Sequence, residues 1–146
     1  MFVSIGNSRM DKKFNCTDMT YEDFVSRLSK TKYTAETMEQ YRKMPKGQQD
    51  NIKDVGGFVL GKLKGGRRKK DCVISRSAIT LDMDYGTQGI IDELEMFFDM
   101  KMVVYSTHKH TPEKPRLRII IFLTRDVTPE QIRSEERFSR NAETEL

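Results

Sequence analysis

The sequence contains little cysteine: two residues in 146, Cys16 and Cys72, far apart in the chain. They form neither a Cys-x-x-Cys motif nor a Cys/His ligand pattern, which argues against a disulfide framework and against a zinc ribbon. We therefore expect free thiols and a reducing, intracellular compartment.

Long apolar runs are also absent. No stretch approaches the roughly 20 apolar residues that a membrane-spanning helix needs, and the N-terminal "MFVSIGNSRMDKKF" lacks the basic start and long apolar core of a secretory signal. We expect a soluble protein in the cytoplasm of a host cell, with no membrane partner. A chain of 146 residues is long enough to bury its own core, so residues 1–146 are predicted to form a single domain.

The sequence has no large excess of either charge, since 26 Lys and Arg face 22 Asp and Glu for a net charge of +4. That excess permits a nucleic-acid partner but does not establish one. The position of the charges is more informative. Six cations lie in one glycine-containing loop, namely Lys62, Lys64, Arg67, Arg68, Lys69 and Lys70. A flexible cationic arm of this kind suits phosphates or an acidic protein surface, although a solvated hairpin loop explains it equally well.

The apolar periodicity predicts an α/β fold in which helices flank a central mixed β-sheet. Helices are expected over residues 20–30, over residues 34–44 with Thr34 as the N-cap and Pro45 as the stop, and over residues 87–99. The polar stretch "KGQQDNIKDVGG" between them is predicted to be a connecting loop. A capping box from Thr128 to Gln131 predicts a further helix near the end of the chain.

Four apolar stretches are typical of strands: "FVLGKL", "CVISRSAITLD", "MVVYS" and "RLRIIIFL". The helix predicted between the second and third of them implies a β-α-β crossover with parallel strands. The continuous apolar run of the fourth predicts burial on both faces. A further edge strand is expected over residues 2–5.

Two carboxylates, Asp82 and Asp84, lie one residue apart at the end of a predicted strand. Side chains at this spacing leave the same face of a strand, so the two negative charges repel unless a cation lies between them. A divalent metal is the usual solution, and same-face carboxylates are what a two-metal nucleotidyl-transfer site needs. The alternative is two ordinary surface acids, because an Asp-x-Asp motif is short and common.

The only two histidines, His108 and His110, follow another predicted strand at the same spacing. If the two strands are parallel neighbours, their carboxyl ends meet at one edge of the sheet, where ligand sites in α/β proteins collect. We therefore expect a metal site made of Asp82, Asp84, His108 and His110, with a mixed nitrogen and oxygen set suited to zinc or manganese, magnesium being possible. A polar turn with exposed histidines is the alternative.

Arg116 and Arg118 share one face at the start of the fourth predicted strand. A guanidinium group in a buried strand normally has a carboxylate or a phosphate as its partner. The pair is therefore a candidate phosphate contact.

Two segments, residues 53–85 and 103–131, together resemble a known family in several motifs that follow in order. They are similar to the N-terminal primase-polymerase domain of the virulence-associated E type replication proteins of phages and mobile elements, within the archaeo-eukaryotic primase superfamily. The resemblance covers roughly residues 20–131. It implies an α/β palm that handles nucleotides and DNA during replication.

The resemblance also implies roles for individual residues. It implies that Asp82 and Asp84 match an acidic pair that binds the catalytic divalent metal. A second motif, a serine at a strand end followed by a basic residue or histidine that contacts the nucleotide, is matched by Ser106, His108 and His110, with Arg116 and Arg118 behind them.

A third acidic motif, on a later strand of the family's palm, has no counterpart before Leu146. Loss of a metal-binding carboxylate lowers the rate of a two-metal enzyme by orders of magnitude, which favours binding over catalysis. We expect a non-catalytic, primase-like protein of a phage or mobile element that binds a host nucleic-acid-handling machine, for example as an inhibitor that blocks DNA loading by a CRISPR effector nuclease. The alternative is a nucleotide- and metal-binding fragment of a DNA primase-polymerase, a nucleotidyltransferase.

Overall fold

The structure is a computed structural model that describes residues 1–133. It has a mixed α/β fold, which confirms the predicted class, but its strands form two three-stranded sheets instead of one central sheet. The chain divides into two compact units. Among the described residues, the first consists of residues 1–20, 56–77 and 123–133, and the second of residues 21–55 and 78–122.

The first unit is built on a sheet in the order β2-β1-β3. Its strands are β1 (Phe2–Gly6), β2 (Asn15–Asp18) and β3 (Gly57–Leu60), and both outer strands run antiparallel to β1. The strand predicted over residues 2–5 is therefore confirmed, but its predicted position at the edge was wrong, because this strand is the central one. Val3 and Ser4 are both fully buried, as consecutive residues of a central strand are when both faces are covered.

The basic loop of the first unit is folded rather than a flexible arm. It contains two short 3-10 turns, Lys64–Gly66 and Lys70–Cys72. Leu63, which lies between β3 and the first of these turns, is buried. The backbone N–H of Phe14 donates to the carbonyl of Gly66 at 2.8 Å. These backbone contacts hold the cationic side chains on an ordered turn.

Three helices lie in the N-terminal part of the second unit: α1 (Tyr21–Leu28), α2 (Met38–Lys43) and α3 (Lys46–Ile52). Only α1 closely matches its predicted range. The start of α2 was predicted too early, because a capping box between Thr37 and Gln40 begins the helix there. Helix α3 was missed, since "KGQQDNI" has no apolar periodicity from which to recognise it.

The sheet of the second unit has the order β4-β6-β5, with β4 (Arg76–Met83), α4 (Ile90–Phe97), β5 (Met102–Ser106) and β6 (Leu117–Val127) in chain order. Strand β6 lies between β4 and β5, so these two are not the parallel neighbours that the sequence predicted. It pairs antiparallel with β5. Ile119 and Ile120 are both buried, which confirms the prediction that this strand is covered on both faces.

Helix α4 forms where it was predicted but does not pack as expected. None of its residues is buried, and the side chains of Met96 and Phe97 are more than two-thirds exposed. Helical periodicity identifies an apolar stripe, but it does not show whether the same chain covers that stripe.

The predicted capping box near the end of the chain is present. The side-chain oxygen of Gln131 accepts from the backbone N–H of Thr128 at 2.9 Å, and a helix begins at Pro129. The rest of the predicted helix lies outside the described residues. Within residues 1–133, no helix combines the length and the apolar character needed to cross a membrane.

Candidate functional site: an arginine–carboxylate cluster and a basic surface

Asp82 lies near the end of β4 and forms a two-pronged ion pair with Arg118 of β6. The Arg118 Nε atom lies 2.6 Å from Asp82 Oδ1, and Nη2 lies 3.1 Å from Oδ2. The hydrogen bonds that Arg118 donates to Asp82 raise the pKa of its guanidinium group above the ordinary value. This geometry is that of a bidentate arginine–carboxylate pair, in which the guanidinium balances the charge of the carboxylate.

Asp84 pairs with Arg116 through a single contact, in which Arg116 Nη2 lies 2.8 Å from Asp84 Oδ1. Asp84 lies one residue beyond β4 and Arg116 one residue before β6. Residue numbers thus rise from 82 to 84 on one side of the cluster while they fall from 118 to 116 on the other, as in an antiparallel pair of strands. The same-face spacing predicted for both pairs is therefore what aligns them. We call Asp82, Asp84, Arg116 and Arg118 the arginine–carboxylate cluster.

The two histidines have other partners. The Nδ1 atom of His110 accepts a hydrogen bond from the backbone N–H of Arg116 at 3.2 Å. His108 packs edge-on against the ring of Tyr41, with 4.4 Å between ring centroids. Its Nε2 lies 3.8 Å from Oε1 of Glu36.

Glu36 is a neighbour of His108 that sequence reasoning missed. A hydrogen bond from the Thr34 side chain, together with one from its own backbone, lowers the pKa of Glu36 below its usual value, and the nearby His108 acts in the same direction. Its Oε1 atom is buried and has no hydrogen-bond partner among residues 1–133. No local pattern pointed to it, because its contact with His108 joins residues 72 positions apart.

As arranged, the four predicted ligands do not fit a metal site. Asp82 and Asp84 each contact an arginine, and no group of three or more His, Cys, Asp or Glu side chains suited to a metal occurs in the described part of the chain. The Nε atom of Arg116 is buried without an acceptor among the same residues, and such a donor favours an anion over a cation. A bound metal stays a prediction, in which the ion would share both carboxylates with their arginines.

Ser106, the third element of the predicted nucleotide contact, is the last residue of β5. It is exposed and lies opposite Leu117 in the register of β5 and β6. Its role in contacting a nucleotide stays a prediction.

The six cations of the basic loop all belong to the first unit, and we call them the basic surface: Lys62, Lys64, Arg67, Arg68, Lys69 and Lys70. Two of them contact aromatic rings: Lys62 Nζ lies 3.6 Å from the centroid of Phe2, and the Arg68 guanidinium lies 5.5 Å from that of Phe14. None of the six forms an ion pair with a residue in the range 1–133. Their charge is thus available to a partner.

A comparison with protein-family models finds one described as the VapE N-terminal domain, which matches residues 1–141. The match extends beyond both ends of the stretch in which the sequence motifs were recognised. No curated protein and no solved structure matches the chain.

Proposed function

This chain belongs to the VapE N-terminal domain family, and on that premise we propose that it serves replication of a phage or mobile element by binding nucleic acid, not by catalysing nucleotide transfer. The proposal has two parts, a binding surface and an absence of catalysis. Each is supported by a different set of contacts.

The observation that carries the proposal is the basic surface. Its six cations form no ion pair with the described residues, and backbone hydrogen bonds hold the loop that carries them. A cluster of uncompensated lysines and arginines binds phosphates, because each contact releases a counterion from the nucleic acid. Such binding needs no base-specific contact.

The non-catalytic part rests on the arginine–carboxylate cluster. Two-metal nucleotidyl transfer requires carboxylates that face the metal ions, whereas Asp82 and Asp84 each face a guanidinium group at 2.6 Å and 2.8 Å. Arg116 and Arg118 thus bring positive charge into contact with both carboxylates. This arrangement supports binding as the function of the chain.

Salt-dependent DNA binding tests the proposal. Affinity for fluorescent single- and double-stranded DNA is measured by anisotropy over a range of salt concentrations, with the double variant Lys64→Gln/Arg67→Gln beside the wild type. We expect the affinity to fall steeply with salt, and the slope of log affinity against log salt to decrease by about 2 in the variant, about one unit per lost phosphate contact. The matched control, Lys30→Gln/Lys114→Gln, removes the same charge elsewhere and should keep the wild-type slope.

DNA binding that is undetectable at low salt, or that both double variants weaken equally, would contradict the proposal. The separate expectation from the sequence, an inhibitor that binds a CRISPR effector nuclease and binds free DNA only weakly, stays a prediction with its own test. A complex with the purified effector should persist at a salt concentration that releases DNA, because a packed interface adds to its charged rim.

A further inference from the structure

The first unit contains a cavity of about 270 Å³ beside the basic surface. One part of its lining is apolar and comes from Phe58, Val59, Leu63 and Val73. Small-molecule sites usually combine such an apolar wall with a few polar groups that orient the ligand, and their volumes begin at about 300 Å³. At about 270 Å³ the cavity lies just below the lower end of that range, so it has room for one small ligand at most.

The remaining lining is cationic and consists of Arg68, Lys69, Lys70 and Arg76. Arg76, the first residue of β4, is half-buried and makes no hydrogen bond or ion pair through its side chain with any residue up to 133. Burial lowers the pKa of its guanidinium group, the direction expected when a charge loses water without gaining a counter-charge. An anion in the cavity would supply that counter-charge.

Resting on the proposed function, we propose that this cavity binds a single nucleoside phosphate. The phosphate would lie against Arg68, Lys69, Lys70 and Arg76, and the base or sugar against the apolar wall. Guanidinium groups bind phosphate through paired hydrogen bonds, and several cations suit its double negative charge. The ligand is either a free mononucleotide or the terminal nucleotide of a strand, since both carry the same chemistry.

The test measures binding of dAMP, deoxyadenosine and inorganic phosphate to the whole chain by isothermal titration calorimetry. We expect dAMP to bind more tightly than either of its two parts, because only dAMP occupies both the cationic and the apolar lining. Arg76→Gln should weaken dAMP binding about tenfold or more, the cost of one charged hydrogen-bond partner. Lys12→Gln, which removes an exposed charge outside the cavity, should leave it unchanged.

If Arg76→Gln does not fold, the exposed pair Lys69→Gln/Lys70→Gln provides the same measurement. The inference is overturned if dAMP does not bind, if inorganic phosphate binds as tightly as dAMP, or if the cavity variants bind dAMP like the wild type. Competition with dAMP by a 5′-phosphorylated oligonucleotide, but not by its 5′-hydroxyl form, would assign the site to a strand end. Absence of that competition would assign it to a free nucleotide.

The two proposals fail separately. If the chain does not bind dAMP but does bind a 5′-hydroxyl oligonucleotide in a salt-dependent way, only the proposal for the cavity is overturned. Binding of dAMP without any binding of that oligonucleotide would overturn only the proposed function.

Discussion

Asp82 and Asp84 are the residues whose chemistry depends most on their partners. Both acids are more than half exposed, as are many surface ion pairs, and pairs of this kind contribute at most about 1 kcal/mol to stability. Their main effect is therefore on local charge. A carboxylate bound to Arg116 or Arg118 has less negative charge to offer an incoming cation.

Removing the two arginines should expose this effect. We expect Mn²⁺ or Zn²⁺ to change the melting temperature of the wild type little, and to raise that of Arg116→Gln/Arg118→Gln, because free carboxylates bind metal in the folded state only. Thermal unfolding with and without metal measures the difference, and adding Asp82→Asn/Asp84→Asn to the variant should abolish it. Stoichiometric metal in the purified wild type that is lost in Asp82→Ala/Asp84→Ala would instead confirm the metal site and contradict this interpretation.

At the level of elements, the end of β3 requires a glycine. Gly61 has φ of +143°, and a Cβ atom there would overlap the carbonyl oxygen of Ser75. Its N–H donates to the carbonyl of Phe2 at 2.8 Å, and its own carbonyl accepts from the buried hydroxyl of Ser4 at 2.9 Å. The backbone at this position therefore connects the end of β3 to β1, and a side chain would disturb both hydrogen bonds.

Two glycine substitutions should have opposite effects on stability. Gly61→Ala is expected to lower the free energy of unfolding by about 1–3 kcal/mol through backbone strain, with the overlap adding to this. Gly47 lies within α3, where an added Cβ atom would meet nothing within 4 Å. Gly47→Ala should therefore raise the free energy of unfolding by about 0.5–1 kcal/mol. Urea denaturation of both variants measures the two shifts, and a Gly61→Ala variant as stable as the wild type would contradict the described turn.

For the whole molecule, the distribution of charge matters more than its total. The net charge of +4 is modest, yet six cations gather in one turn of the first unit, while the acids predicted to bind metal are each paired with an arginine. The chain thus combines available positive charge with neutralised carboxylates. This combination favours association with phosphates over metal-dependent chemistry.

The corresponding prediction is that this chain alone makes no primers. We expect template-dependent incorporation of labelled nucleotide to stay at background in the presence of Mg²⁺ or Mn²⁺, because the arginines paired with Asp82 and Asp84 weaken the attraction of these acids for the metal ions that stabilise the transition state. A gel assay on single-stranded templates measures this. Incorporation that exceeds background and disappears in Asp84→Ala would show that the chain is an enzyme.

Several features followed from the sequence alone, because they depend on neighbours in the chain. Local spacing predicted that Asp82 and Asp84 share a face. It also predicted the burial of the strand around Ile120 and the capping box at Thr128. The motifs also indicated the family. Local spacing failed for α3, whose residues carry no periodic apolar pattern.

The identity of each side chain's partner was decided only by the tertiary structure. Spacing shows that Asp82 and Asp84 share a face, but it does not show which strand lies beside them. Because β6 lies between β4 and β5, the neighbours of the acids are Arg116 and Arg118, and the two histidines bind elsewhere. Strand order is set by packing among residues distant in the chain. This order places an arginine beside each of the two acids that the sequence predicted to bind a metal ion.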